Sequence, residues 1–248
     1  MGFLKNMFGG DGAPSDRQIR RALKQATQVH GDPTTRVAAM ERLAAWKTPE
    51  AVTALLRRFT VQVPQASMDQ EEKQYTVRLM VENGRIATRP ILHYLRTEPE
   101  VTYPVQALRE ILPVVEFTSA IQEILDGMIQ SYTRWPEAKV VLIEHLPDES
   151  FAQLKETVTR FLSDDDDDVC IAAIDYLARN GDETIREELL TLFLNADARP
   201  RVRGRILGHF CERDWPVKGY RKRVEEVISE PYYLTSKGTV RRRDGSSQ

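Results

Sequence analysis

Five consecutive aspartates, Asp164 to Asp168, are the densest chemistry-bearing stretch of the chain. Carboxylates bind calcium or magnesium, but a calcium loop spaces its ligands around a glycine turn and closes with a bidentate Glu. The run lacks that spacing and stands directly before Val169, Ile171, Ala172, Ile174 and Leu177, which make one apolar helical face. An acidic side chain there caps the helix and complements the positive end of its dipole. Ser163 or one of Asp164 to Asp168 is therefore expected to cap a helix beginning near Val169. The surplus charge is left as an acidic recognition patch.

The other chemistry-bearing residues do not gather into a constellation. His30, His93, His145 and His209 are far apart and form no i, i+4 metal pair. His209 and Cys211 are two apart, so on a helix they point to different sides. Cys170 is expected as a small buried core residue. Glu144, His145 and Asp175 read as exposed helix positions. No nucleophile elbow, phosphate-binding glycine loop or dinucleotide fingerprint is present. The expectation is a chain with no catalytic residues, no metal, no cofactor and no enzymatic activity.

Bulk composition sets the frame. The 248 residues, 41% hydrophobic and 29% charged, suffice for one large or two small domains with a substantial core. No stretch approaches the roughly 20 apolar residues that span a bilayer. Two cysteines are too few for a disulfide framework. These points lead to the expectation of a soluble, cytoplasmic protein. The net charge of −2 conceals a pattern: residues 1–110 carry +4, residues 111–200 carry −12 and residues 201–248 carry +6.

The elements that must position these residues follow from periodicity. Val37, Met40 and Leu43 fall at helical spacing; Thr48 as N-cap and Pro49 at the first helical position then open a run through Val52, Leu55, Leu56 and Phe59. Asn180 and Gly181 close the helix after the aspartates, and Ile185, Leu189, Leu192 and Phe193 mark the next. Taking Ala39, Thr76, Ala107, Leu142, Ala173 and Ile206 as the inward residue of six first helices gives a repeat of about 33 residues. Second helices are expected at 49–60, 85–96, 118–130, 150–162, 183–194 and 218–229. Pro104, Pro113 and Pro147 interrupt the middle units, and Pro113 ends or kinks its helix after Leu112. No segment alternates with period two for long enough to suggest a sheet.

The stretches DPTTRVAAMERLAAWKTPEAV and DDDDDVCIAAIDYLARNGDETI resemble HEAT repeats of the bacterial HEAT-like, or phycobilisome-lyase, type. In these repeats Asp, Val-Arg, Ala pairs with Leu, and Gly-Asp recur. The resemblance extends to RPRVRGRILGHF at Arg199 to Phe210, while from Val61 to Leu146 only periodicity and spacing carry it. It implies an all-α fold, a right-handed α-α superhelix of the armadillo type with about six hairpins, occupying residues 15–230.

Such a solenoid offers a long concave face for a protein or peptide partner, so a non-catalytic scaffold or adaptor is the expected function. The partner-binding residues expected are Arg57, Arg85, Arg89, His93, Arg96, Arg221 and Arg223. The alternative rests on the alkylpurine DNA glycosylases, which share HEAT-like repeats. Arg58, Lys155, Arg160 and Lys222 would join the basic set, and Trp46, Trp135 and Trp215 could stack on bases. Net negative charge disfavours nucleic acid. The tryptophans before prolines, Trp135 and Trp215, are expected as packing elements. A phycobilin-lyase-like role ranks third. Deoxyhypusine hydroxylases, also HEAT proteins, carry His-Glu pairs that this chain lacks.

Two ends flank the repeats. Residues 1–14 are expected as a flexible segment or a helix packed on the first repeat. The functional reading is a small amphipathic anchor of Phe3, Leu4, Met7 and Phe8 making weak peripheral membrane contact. Residues 231–248 are expected as a basic tail containing Lys237 and Arg241 to Arg243, with Tyr232 to Leu234 covering the open apolar end. A short basic tail of this kind is ordinarily solvated and mobile; the functional readings are that it folds back on the aspartates or docks on an acidic partner.

Overall fold

The computed structural model describes residues 13–130, 135–195 and 199–243. The proposed amphipathic anchor, Phe3 to Phe8, lies outside the described residues. The chain divides into two compact units, Met1–Phe117 and Thr118–Gln248. Apart from short 3₁₀ turns and one small hairpin, the elements among the described residues are thirteen α-helices. None of these helices is long and apolar enough to cross a membrane.

The first unit holds α1 (Asp16–Ala26), α2 (Pro33–Ala45), α3 (Pro49–Leu56), α4 (Ala66–Asn83), α5 (Arg85–Thr97) and α6 (Thr102–Ile111). It ends inside α7 (Val114–Gln130). Local chemistry sets the boundaries. Ser15 and Gln18 form a reciprocal capping box on α1, Asp32 accepts from the Thr35 amide at the start of α2, and Thr48 accepts from Ala51 before Pro49 on α3. Leu112 is extended before Pro113, so α6 stops at Ile111 as expected. Pro104 sits harmlessly in the first turn of α6. Pro90, by contrast, lies inside α5 and deprives the Ile86 carbonyl of its helical donor.

Neighbours alternate. In this unit α2 packs on α3 and α4, α3 on α5, and α4 on α6, with α1 covering α2 and α3. Polar side chains repeat the alternation: the Tyr75 hydroxyl donates to Glu41, 34 residues away, and Gln74 to Gln106, 32 away. The deepest link is ionic. Glu72 receives Arg36 from α2 at 2.8 Å and Arg58 from the turn after α3 at 2.9 Å, while Arg58 also reaches Asp69 at 2.8 Å. Arg58 is fully buried and Arg36, Asp69 and Glu72 nearly so, whereas Arg58 was expected among exposed basic positions. The remaining Arg58 protons go to the Val61 carbonyl, and Asp69 takes the Val63 amide and the Lys73 ammonium. Burial works to raise the Asp69 carboxyl, but the bonds from Lys73 and Arg58 outweigh it and hold it below its ordinary value.

The second unit contains the rest of α7, then α8 (Pro136–Glu144), α9 (Phe151–Arg160), α10 (Asp167–Asn180), α11 (Glu183–Asn195), α12 (Pro200–Glu212) and α13 (Arg221–Val227). Here α8 packs on α10, α10 on α12, and α11 on α13. Bonds again span about one repeat: Thr118 to Ser150, 32 apart; Thr157 to Asp126, 31 apart; Arg179 to Asp148, 31 apart. The six expected inward residues, Ala39, Thr76, Ala107, Leu142, Ala173 and Ile206, lie on α2, α4, α6, α8, α10 and α12. Each is at most 1% exposed. Gly181 ends α10 because space demands it rather than backbone conformation: a Cβ would stand 2.5 Å from both the Leu177 carbonyl oxygen and Ile185.

Through Arg243 the basic tail is folded. Strands β1 (Tyr232–Leu234) and β2 (Val240–Arg242) pair antiparallel around a turn in which Gly238 has φ +76. Strand β2 packs on α12, and its Val240 is fully buried, as is Val217, whose amide donates to the Gly238 carbonyl. Arg241 pairs with Asp214 and Arg243 with Glu230, so the arginines fold back on local acids and not on the aspartate run.

Glu72 neutralises two buried guanidinium groups, so Glu72→Gln is expected to lower stability by about 3–5 kcal/mol. The exposed Glu116→Gln should leave the urea midpoint nearly unchanged. Equal shifts for both would show that the buried network does not hold the unit together.

Candidate partner-binding face

Helix α5 buries Ala87, Pro90, Ile91, Tyr94 and Leu95, and packs with that face on α3 and α6. Its other face is set by the same periodicity: Arg85, Arg89, His93 and Arg96 follow one another at three- and four-residue steps and are all exposed. With Thr88 and Leu92 between them they line an open concavity of about 470 Å³. Four of the seven expected binding residues are thus brought to one surface, and Arg57, at the end of α3, is exposed on the neighbouring helix. Arg221 and Arg223 are exposed on α13, in the other unit.

These cations differ in their engagement. Arg85 makes a two-pronged pair with Glu116, one arm 2.8 Å long. That bond holds the Glu116 carboxyl below its ordinary value against a small opposing effect of burial. Arg57 reaches Glu98 at 2.7 Å and Arg221 reaches Glu225 at 2.8 Å. Arg96 donates to the Leu92 carbonyl at 3.1 Å. Arg89 has no hydrogen-bond or ion-pair partner among the described residues, and neither has Arg223. The middle of the α5 stripe is therefore an uncompensated positive surface, while its Arg85 end is closed by an acid.

Several expectations about the other candidates are corrected or sharpened. The cap of α10 is Asp166, which accepts from the Asp168 and Val169 amides. Asp164 takes the Lys139 ammonium at 2.7 Å, Asp167 takes Arg199 at 2.7 Å, and Asp168 takes Arg201. The arginines come from one repeat downstream, so the surplus charge is mostly consumed inside the protein and does not form the acidic patch expected of it. Among the described residues no group of three or more His, Cys, Asp or Glu side chains is arranged to hold a metal ion.

Asp175 is not a free surface residue: it accepts from His209 at 2.7 Å and from both arms of Arg205. Burial works to raise its carboxyl, and the His209 and Arg205 bonds outweigh that and hold it lowered. Cys170 is buried, donates weakly to the Leu162 carbonyl, and has its thiol pushed up to about 11 by burial. Trp215 packs edge-on against Phe210 with Arg213 over its ring. Trp135 is 44% exposed, less of a packing element than expected.

The ten basic residues of the second helices no longer act as one set. Arg58 is buried in its ion network, and Arg57, Arg85, Arg160 and Arg221 are held by carboxylates. What periodicity could not reveal is which arginine has a carboxylate one repeat away.

A carboxyl with a lowered folded value adds stability above its unfolded value, near 3.9, and loses it as pH falls through the folded one. Asp175→Asn is therefore expected to unfold at lower urea than the native chain at about pH 7. The gap should close as pH drops below about 4. A gap that persists unchanged in acid would dismiss the ionised pair as its source.

Comparison of the chain with family models, curated proteins and solved structures finds no match, so the geometry of the α5 face carries the functional argument by itself.

Proposed function

We propose that the protein is a non-catalytic α-helical repeat scaffold that captures a protein partner on the face of α5. In this reading the helices form a superhelical solenoid of about six HEAT-like hairpins. Two regularities support it: alternate helices pack on each other within each unit, and polar side chains bond across intervals of about one repeat. Stacked hairpins bury one continuous apolar core and leave their second helices free to face a ligand.

The observation that carries the functional reading is the exposed run Arg89, His93 and Arg96 over an open concavity, with Arg89 unpaired among the described residues. Side chains that stabilise their own fold are engaged, as Arg36 and Arg58 are. Arg89, an exposed cation without such engagement among the described residues, suits an anionic partner by complementarity. Most other basic residues once available to a nucleic acid are paired within the chain, which weakens the case for wrapping a polyanion.

The test compares native protein with the double variant R89E/R96E as baits in a native lysate, alongside titration with duplex and single-stranded DNA across a salt series. The native bait should retain a discrete protein that the variant retains at about one tenth the level or less. The melting temperature should move little, because both positions are exposed. Full retention by a folded variant would reject this face. Micromolar DNA binding with steep inverse salt dependence would replace the protein partner with nucleic acid.

A further inference from the structure

We infer that the concavity between the C-terminal ends of α2 and α4 binds an organic primary ammonium group, held by Glu41, Glu82 and the side-chain oxygen of Asn83. The site belongs to the first unit and shares no residue with the α5 stripe.

The first argument is an unsatisfied acceptor. Asn83 closes α4, is 7% exposed and lines a concavity of about 330 Å³. Its amide nitrogen turns back on its own helix and donates to the Leu79 carbonyl at 2.8 Å. Its Oδ1 is buried and has no hydrogen-bond partner among the described residues. A buried carbonyl without a donor is destabilising, and a ligand N–H that reaches it removes that penalty.

The second argument is the sign of the surroundings. Helix α2 ends at Ala45 and α4 at Asn83, so two helix C-termini, each with partial negative charge, meet at the same concavity. Two carboxylates on its wall add to them. Glu41 takes the Tyr75 hydroxyl at 2.6 Å, and Glu82 has no hydrogen-bond or ion-pair partner among the described residues. The Tyr75 phenol registers this field: its bond to Glu41, then burial and the charges of Glu41 and Glu82, push it up to about 12. Against these stand Lys47, also on the wall, and Arg78, whose guanidinium lies 5.2 Å from the Tyr75 ring centroid.

The third argument is what such acceptors can hold. An alkylammonium offers three donors and no acceptor, which matches two carboxylates and one amide oxygen. A quaternary ammonium brings no donor to Asn83. A divalent cation needs converging ligands, and among the described residues no group of three or more His, Cys, Asp or Glu side chains provides them. Ala44, Ala45 and Leu79 lie between the polar groups and suit a short alkyl chain. Glu41 and Ala45 also line an adjoining concavity of about 410 Å³ with Ala38 and Trp46, which continues the apolar surface.

The probe is n-hexylammonium chloride, titrated into the full chain and followed by amide NMR that includes the Asn83 side-chain NH2. Saturable shifts are expected around Glu82 and Asn83, with 1-hexanol and tetramethylammonium at least about tenfold weaker. Glu82→Gln should weaken hexylammonium about tenfold. Asn83→Leu should do the same while the melting temperature holds or rises, because the leucine leaves no acceptor unsatisfied. Lys47→Gly should tighten binding: it removes a like charge, and the φ of +50 at that position suits glycine. Replacing the probe with Nα-acetyl-lysine methylamide identifies the source. Tighter binding than hexylammonium places the ammonium on a lysine of a partner protein, and weaker binding places it on a free amine. No saturable shift, equal binding of either control, or full binding by Asn83→Leu would overturn the inference. Glu82→Gln, at an exposed position, decides the matter by itself if the leucine variant does not fold.

Discussion

The first unit depends on one carboxylate. Glu72 on α4 neutralises Arg36 from α2 and Arg58 from the turn after α3, so three successive helices are tied at a single buried point. Either guanidinium left alone there would be an uncompensated buried charge, which is far more costly than a lost surface pair. Asp69 and the Val61 carbonyl take the remaining protons of Arg58, and the Arg36 guanidinium also donates to the Gly31 carbonyl, so the network is satisfied rather than merely neutral. Because α3 is the helix on which α5 packs, the pin at the end of α3 also sets where the exposed face of α5 lies. The exposed face of α5, proposed above as the binding surface, thus inherits its position from charges buried out of reach of solvent.

Much of this architecture was legible because it is written in local chemistry. Caps at Asp32 and Thr48, prolines at the first helical positions and the stop at Pro113 all act within a few residues, and the six inward positions repeat with the period of the core. The ion network was not legible. Arg36, Arg58 and Glu72 look like ordinary solvated residues in a linear reading, and only the packing of α2 against α4 shows that Arg36 and Glu72, 36 residues apart, share a buried bond. The hairpin escaped for a different reason. Its strands are three residues each, too short for a period of two to register, and Val240 is buried by the end of α12 rather than by a sheet.

The aspartate run shows how the same charge can be read twice. In sequence, the five carboxylates exceed what one cap needs and suggest an acidic surface. In the fold, Asp166 is the cap, and the Arg199 and Arg201 that follow one repeat later belong to the next first helix, α12. The excess thereby becomes a set of links between consecutive first helices, and with Asp175–Arg205 it continues along α10 and α12. A net charge counted along the chain overestimates the field at the surface wherever acids and bases alternate with the spacing of the repeat.

The same reasoning separates residues that sequence treats as equals on α5. Arg85 and Arg89 are four residues apart, of one type, on one face. Arg85 is already bonded to Glu116, so any anionic ligand must first compete with a carboxylate held at 2.8 Å. Arg89 has no such competitor among the described residues and meets a ligand without surrendering a bond. Exposed pairs are individually weak, so the distinction matters little for folding. It matters for recognition, because the affinity of a site is set by the difference between bound and free states. A stripe in which Arg85 is bridged and Arg89 is open sets its own arginines apart, and that difference comes from the acids flanking α5 as much as from the arginines.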